Sequence, residues 1–150
     1  MALEDGVSVI AMLVAEDETQ SVLTATENGF GKRTSIVEYT RHGRGTKGMI
    51  AIQQTERNGK VVAATLVRAD DEIMLITDKG VLVRTRIAEI REMGRATQGV
   101  TLIALDEGTQ LIGLQRIVEN DANGDASTDA AGTLPPETDG SSEPPAEENP

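Results

Sequence analysis

The chain has 150 residues, enough for one domain, and with one Tyr, one Phe and no Trp its core must be built from aliphatic side chains. The absence of Cys excludes disulfides and thiolate metal sites, and no stretch is apolar for long enough to span a membrane. The net charge of −11 is unevenly divided: residues 119–150 hold nine acidic and no basic residues, whereas residues 32–95 hold 13 basic and 8 acidic ones. Without a signal-peptide pattern, this composition predicts a soluble cytoplasmic protein with a mildly basic body.

Residues 1–20 are predicted to be the end of a preceding blade of a repeated β structure. Their apolar stretch Gly6–Val14 is similar to Gly59–Val67 and, more loosely, to Gly108–Ile117. Each of these three stretches is predicted to be the closing strand of one unit.

Residues 21–71 and 72–118 are predicted to be two successive blade repeats. Residues 22–53 align with residues 73–104 at a constant offset of 51, with 11 identities in 32 positions. Short runs rich in β-branched residues, bounded by turn signals, predict four strands in each repeat of about fifty residues. The fold class is therefore all-β, with about two complete four-stranded, propeller-like blades.

Several local signals divide the strands of each repeat. Glycines end the predicted hairpin turns Glu27–Gly29 and Asp78–Gly80, where a left-handed backbone is needed. Interleaved acidic and apolar residues at Ile36–Arg41 and Ile87–Glu92 predict one helical turn after the second strand of each repeat.

Residues 119–150 are predicted to be a disordered acidic tail. They are rich in Asp, Glu, Pro, Gly and Ser, and Leu134 is the only large apolar residue among them. The tail either competes with phosphate for the basic surface of the body or serves as a solubility segment.

The repeated motifs resemble those of a known family. Thr77–Gly80, Arg84–Thr85 and Gly94–Val100 resemble the blade of the C-terminal domain of the DNA gyrase A subunit, and Thr26–Gly29 and Gly43–Gly48 fit the same template. The resemblance implies a β-pinwheel, a propeller-like ring in which strands pass between neighbouring blades and DNA is wrapped around a basic rim.

The same resemblance implies partners and a role. The partners are double-stranded DNA, the ATP-hydrolysing B subunit of gyrase, and the remainder of the gyrase A protein, in the bacterial cytoplasm with the nucleoid and without a membrane. The module would support negative supercoiling without catalytic residues or cofactors of its own. The alternatives are the A-type subunit of topoisomerase IV and a propeller fragment that binds protein.

The candidate DNA-binding residues are cations at repeated positions. Arg44 and Arg95 are equivalent and flanked by glycines, which let a backbone approach a phosphate closely; alternatively, both brace a turn by bonding to carbonyls. Lys47 adds charge to the first of these loops. Arg33 and Arg84 are also equivalent, and their neighbours Lys32 and Arg86 add charge. The alternative for this second group is a solvated strand face, or pairing with Glu38 and Glu89, which are likewise equivalent.

No residue pattern indicates catalysis or a metal site. Tyr39 aligns with Ile90 and is therefore predicted to be a core residue, whereas a catalytic tyrosine would not have an isoleucine as its counterpart. His42 is the only His, and the acidic cluster Asp70–Glu72 lacks the spaced partners that a cation site needs.

Overall fold

A computed structural model describes residues 3–118, which form seven antiparallel strands and two single turns of 3-10 helix. The tail prediction for residues 119–150 lies outside this range. The strands are β1 (Ser21–Thr26), β2 (Phe30–Ser35), β3 (Val61–Val67), β4 (Glu72–Thr77), β5 (Leu82–Arg86), β6 (Val100–Thr101) and β7 (Leu111–Ile117). The 3-10 turns, Ile36–Glu38 and Ile87–Glu89, follow β2 and β5, as the sequence predicts.

The strands form two sheets that do not coincide with the two repeats. The first has the order β3-β1-β2-β6 and the second the order β5-β4-β7. Strand β6 comes from the second repeat but pairs with β2 of the first, through Phe30 opposite Thr101 and Gly31 opposite Val100. The second repeat forms the four predicted strands, β4 to β7, whereas the first repeat forms only three, and β6 supplies the fourth strand of its sheet. This passage of a strand between blades is what the resemblance to the pinwheel implies.

The predicted closing strands differ in their outcome. Val61–Val67 and Leu111–Ile117 are strands that pair with the first strand of their own repeat. Residues 3–20 contain no strand, contrary to the prediction for Gly6–Val14. The first strand that such a segment would pair with does not occur among the described residues.

The core lies between the two sheets, with no aromatic side chain in it. The first sheet contributes Leu23 and Ala25 from β1 and Val67 from β3, all fully buried. The residues that the second repeat places against them are Ile73, Leu75, Ile87, Ile90 and Leu111. Because aliphatic side chains of both repeats share this one cluster, each sheet buries its apolar face against the other.

Glycine permits the closest approach between the repeats. Gly99, just before β6, has a left-handed backbone with φ of +82°, and a Cβ atom there would lie 2.6 Å from the carbonyl oxygen of Gly31. Because only glycine lacks that atom, β6 can lie against β2 at hydrogen-bonding distance.

Candidate nucleic-acid interface

The most exposed group of cations lies on one loop of the first repeat. Residues 41–48, here called the basic loop, carry Arg41, Arg44 and Lys47 and no acidic residue. Every residue of the loop is exposed, and within the described part of the chain none of the three cations hydrogen-bonds or pairs with another side chain. Three such positive charges on a glycine-rich loop can contact successive phosphates.

The equivalent loop of the second repeat is built differently. Residues 94–98, here called the braced loop, form the same turn, but Arg95 is half-buried. Its Nη1 atom donates a hydrogen bond to the carbonyl oxygen of Ile50 at 3.1 Å, and its Nε atom is buried. Arg95 therefore makes the contact expected of a turn brace, whereas Arg44 faces solvent.

Lys32 lies beneath the braced loop and is fully buried. Its Nζ atom donates hydrogen bonds to the carbonyl oxygen of Gly94 at 2.6 Å, to that of Arg95, and to the hydroxyl of Thr97 at 3.1 Å. The prediction that Lys32 adds charge to an accessible surface is wrong, because the strand turns this side chain inward. Burial, together with the nearby charge of Arg95, lowers the pKa of Lys32 to about 8, and the negative charge of Glu38 opposes this shift.

The other strand cations also contact protein atoms. Arg33 is half-buried and donates a hydrogen bond through Nε to the carbonyl oxygen of Ile90 at 2.7 Å. Arg84 pairs with Glu72, and Arg86, which is far more exposed, lies 3.6 Å from the same carboxylate. Glu72 thus offsets part of the positive charge of β5.

The predicted cations therefore fall into three separate groups. Lys32, Arg33 and Arg95 meet at the junction of the two repeats, Arg84 and Arg86 gather around Glu72, and Arg44 and Lys47 stand on the basic loop. Only the last group is both exposed and unpaired among the described residues.

Sequence comparison between the repeats missed two features of this surface. Arg41 is exposed beside Arg44, but its counterpart is Glu92, so the repeat gives no sign of it. Arg57 lies over the ring of Phe30, with its Cζ atom 4.7 Å from the ring centroid, in a cation–π contact.

Other kinds of site find little support in residues 3–118. No group of three or more metal-ligating side chains comes together there. Within the same range no helix has the length and apolarity to cross a bilayer. Tyr39, predicted to be a core residue, is only half-buried and lies outside the core cluster; burial raises the pKa of its phenol.

A family model described as the DNA gyrase C-terminal domain, beta-propeller, matches residues 20–68 and 71–117. The chain belongs to this family. The two matched segments correspond to the two repeats, and the all-β pinwheel architecture predicted from the motifs is confirmed.

Individual relatives agree with the family assignment. The chain is 46% identical over 151 residues to the DNA gyrase A protein of Pseudomonas aeruginosa and 50% identical over 117 residues to that of Escherichia coli. These matches cover 98% and 78% of the chain but only 16% and 13% of the two relatives. The chain therefore spans about one seventh of the length of these gyrase A proteins.

Solved structures show the same architecture. A DNA gyrase A C-terminal domain superposes with a TM-score of 0.62 at 28% identity, covering 65% of this chain and 33% of that one. The C-terminal domain of a DNA topoisomerase IV superposes with a TM-score of 0.71 at 19% identity, covering 77% and 36%. The second likeness shows the fold alone, so the sequence relatives favour gyrase over the topoisomerase IV alternative.

Proposed function

We propose that the repeats form a DNA-binding module of a gyrase A protein, which holds duplex DNA by its phosphates without reading base sequence. The observation that carries this proposal is the basic loop, whose Arg41, Arg44 and Lys47 are exposed and, among the described residues, have no acidic partner. Cations that neutralise phosphates release counterions, which gives affinity for any duplex sequence.

We extend this proposal to the whole enzyme because the chain belongs to the gyrase C-terminal domain family. In the full-length protein, repeated blades with cations on their rim would bend DNA along a curved path, and the cost of bending would be offset by the additional contacts. We propose that this steers ATP-dependent negative supercoiling by the remainder of gyrase A together with the B subunit, in the bacterial cytoplasm. The module itself would have no catalytic residue and no cofactor.

The salt dependence of duplex binding tests the proposal. The double variant Arg44→Ala/Lys47→Ala removes two proposed phosphate contacts, so the slope of log affinity against log salt should flatten by about two units. The loss should be the same for duplexes of unrelated sequence, because phosphate contacts carry no base information.

Lys79→Ala is the matched control, since Lys79 is an exposed cation in a hairpin turn of the second repeat. It should change the slope by less than about half a unit, well below the effect of one phosphate contact. An unchanged slope for the basic-loop variant, with circular dichroism showing an intact fold, would rule out this loop as the DNA contact. Binding to a protein partner would then be the better account.

A further inference from the structure

A buried polar network joins the two repeats beneath the braced loop. At its centre the Nζ atom of Lys32, from β2 of the first repeat, binds the Gly94 and Arg95 carbonyls and the Thr97 hydroxyl of the second. The Thr97 hydroxyl donates in turn to the Gly94 carbonyl at 2.9 Å. One ammonium group thus fixes the position of most of the braced loop.

The braced loop in turn holds the segment that follows the basic loop. Arg95 donates to the carbonyl oxygen of Ile50 at 3.1 Å, and the Gln53 amide donates to the carbonyl oxygen of Thr97 at 2.9 Å. The buried amide of Asn58 donates both to the Gln53 carbonyl at 2.8 Å and to the Gln98 carbonyl at 3.1 Å. Residues 50–53 are therefore tied to residues 95–98 along most of their length.

We infer that Lys32 is a positioning residue for DNA binding: by holding the braced loop, it fixes the base of the basic loop and hence where Arg44 and Lys47 stand. This inference rests on the proposed function. Lys32 does not contact DNA in it, because its ammonium is enclosed by protein atoms.

The chemistry of the buried ammonium explains why its effect is local. Replacing a whole buried ion pair with apolar side chains is often neutral for stability, but Lys32→Met removes only the donor and leaves its acceptors in place. Without Lys32, the Gly94 and Arg95 carbonyls and the Thr97 hydroxyl lose their shared donor, and an unsatisfied buried acceptor is costly. The braced loop is expected to swing outward to hydrate these atoms, which releases residues 50–53 while leaving the aliphatic core in place.

Hydrogen exchange of the Gln53 amide in the Lys32→Met variant tests this release directly. That amide donates across the network, whereas the Glu27 amide donates to Lys60 outside it and serves as the internal reference. Gln53 exchange should rise at least about tenfold while Glu27 exchange stays unchanged, which separates local release from general unfolding. Lys79→Met, which removes an exposed lysine, should alter neither amide.

Duplex binding provides the second readout. Lys32→Met should weaken binding by about threefold or more, and this loss should disappear when Arg44 and Lys47 are already alanine, because the two changes act through one loop. Thr97→Val removes one of the three acceptors while leaving Lys32 in place, and should act in the same direction with a smaller effect.

The outcomes distinguish this inference from the proposed function. Unchanged Gln53 exchange in both Lys32→Met and Thr97→Val overturns the positioning role alone. An equal loss of DNA affinity with and without the basic-loop cations also overturns it. Unchanged DNA binding in Arg44→Ala/Lys47→Ala overturns the proposed function, and the positioning role falls with it.

Discussion

Lys32 and Val83 occupy the same position in the two repeats, and the structure uses them in opposite ways. Lys32 sends its ammonium into the loop of the next repeat, whereas Val83 packs as a partly buried apolar side chain against the shared core. A position that is apolar in one copy holds a buried charge in the other. A buried charge is costly unless protein groups replace its hydration, and three acceptors from the second repeat do so for the Lys32 ammonium.

This burial predicts a pH dependence of stability. The pKa of Lys32 is about 8 in the folded chain and near its ordinary value of 10.5 in the unfolded one. Between these two values the unfolded chain binds a proton that the folded chain does not, so the free energy of unfolding should rise with pH. The full gain over that window is on the order of 3 kcal/mol.

Urea unfolding at several pH values between 7 and 10 measures this rise, and Lys32→Met is the reference. The difference in unfolding free energy between wild type and variant should grow in favour of the wild type above pH 8. This stabilisation of the wild type should be fully present only above pH 10.5 and should be lost as the pH falls through 8. A pH-independent difference would contradict the lowered pKa.

Arg44 and Arg95 should differ in stability although they are equivalent in sequence. Arg95→Ala removes the hydrogen bond to the Ile50 carbonyl and should cost about 1 kcal/mol of unfolding free energy. Arg44→Ala removes no contact with the described part of the protein and should stay within about 0.5 kcal/mol. Denaturant unfolding of both variants at one pH provides the comparison, and equal losses would show that the two loops are built alike.

Gly48 and Gly99 form a second matched pair. Both have a left-handed backbone, with φ of +86° and +82°, but a Cβ atom meets nothing within 4 Å at Gly48 and lies 2.6 Å from the Gly31 carbonyl oxygen at Gly99. Gly48→Ala should therefore cost only the backbone strain, about 1 kcal/mol. Gly99→Ala must also push β6 from β2 and should cost about 3 kcal/mol or more.

Thermal unfolding of the two alanine variants distinguishes strain from close approach. Similar losses would mean that the clash at Gly99 is relieved by a small shift of the strand.

Tyr39→Phe should have little effect on function or stability. Tyr39 is half-buried at an apolar position of the repeat, and the raised pKa of its phenol disfavours the phenolate that attack on a phosphodiester requires. The pure chain should leave supercoiled plasmid uncut with either residue, as gel electrophoresis would show. Cleavage that is lost on Tyr39→Phe would contradict the non-catalytic proposal.

The local features of the fold were predictable because each depends on neighbouring residues. The glycine turns at Gly29 and Gly80 have positive φ, and both predicted helical turns are present. The exchange of a strand between the repeats was implied by the resemblance to the pinwheel. The strand patterns alone could not predict that β6 pairs with β2, because an alternation of apolar residues does not specify which sheet a strand joins.

The burial of Lys32 had a signal that was overlooked. Comparison with Ile90 placed Tyr39 at an apolar position, and the same comparison with Val83 places Lys32 at one. A lysine on a strand usually points to solvent, and the prediction for Lys32 follows this tendency of the residue type and not the apolar character of Val83. The brace by Arg95 had no such signal, because Arg44 shares its preceding glycine but not its surroundings.

The pairing of β6 with the sheet of the first repeat makes the unfolding of the two repeats cooperative. Unfolding of the second repeat would strip the first sheet of its outer strand and deprive Lys32 of all three acceptors at once. The interfacial coupling between the two units is then large compared with what either contributes alone. Residues 20–118 should accordingly melt in a single all-or-none transition, with equal calorimetric and van't Hoff enthalpies, although their sequence is two tandem copies.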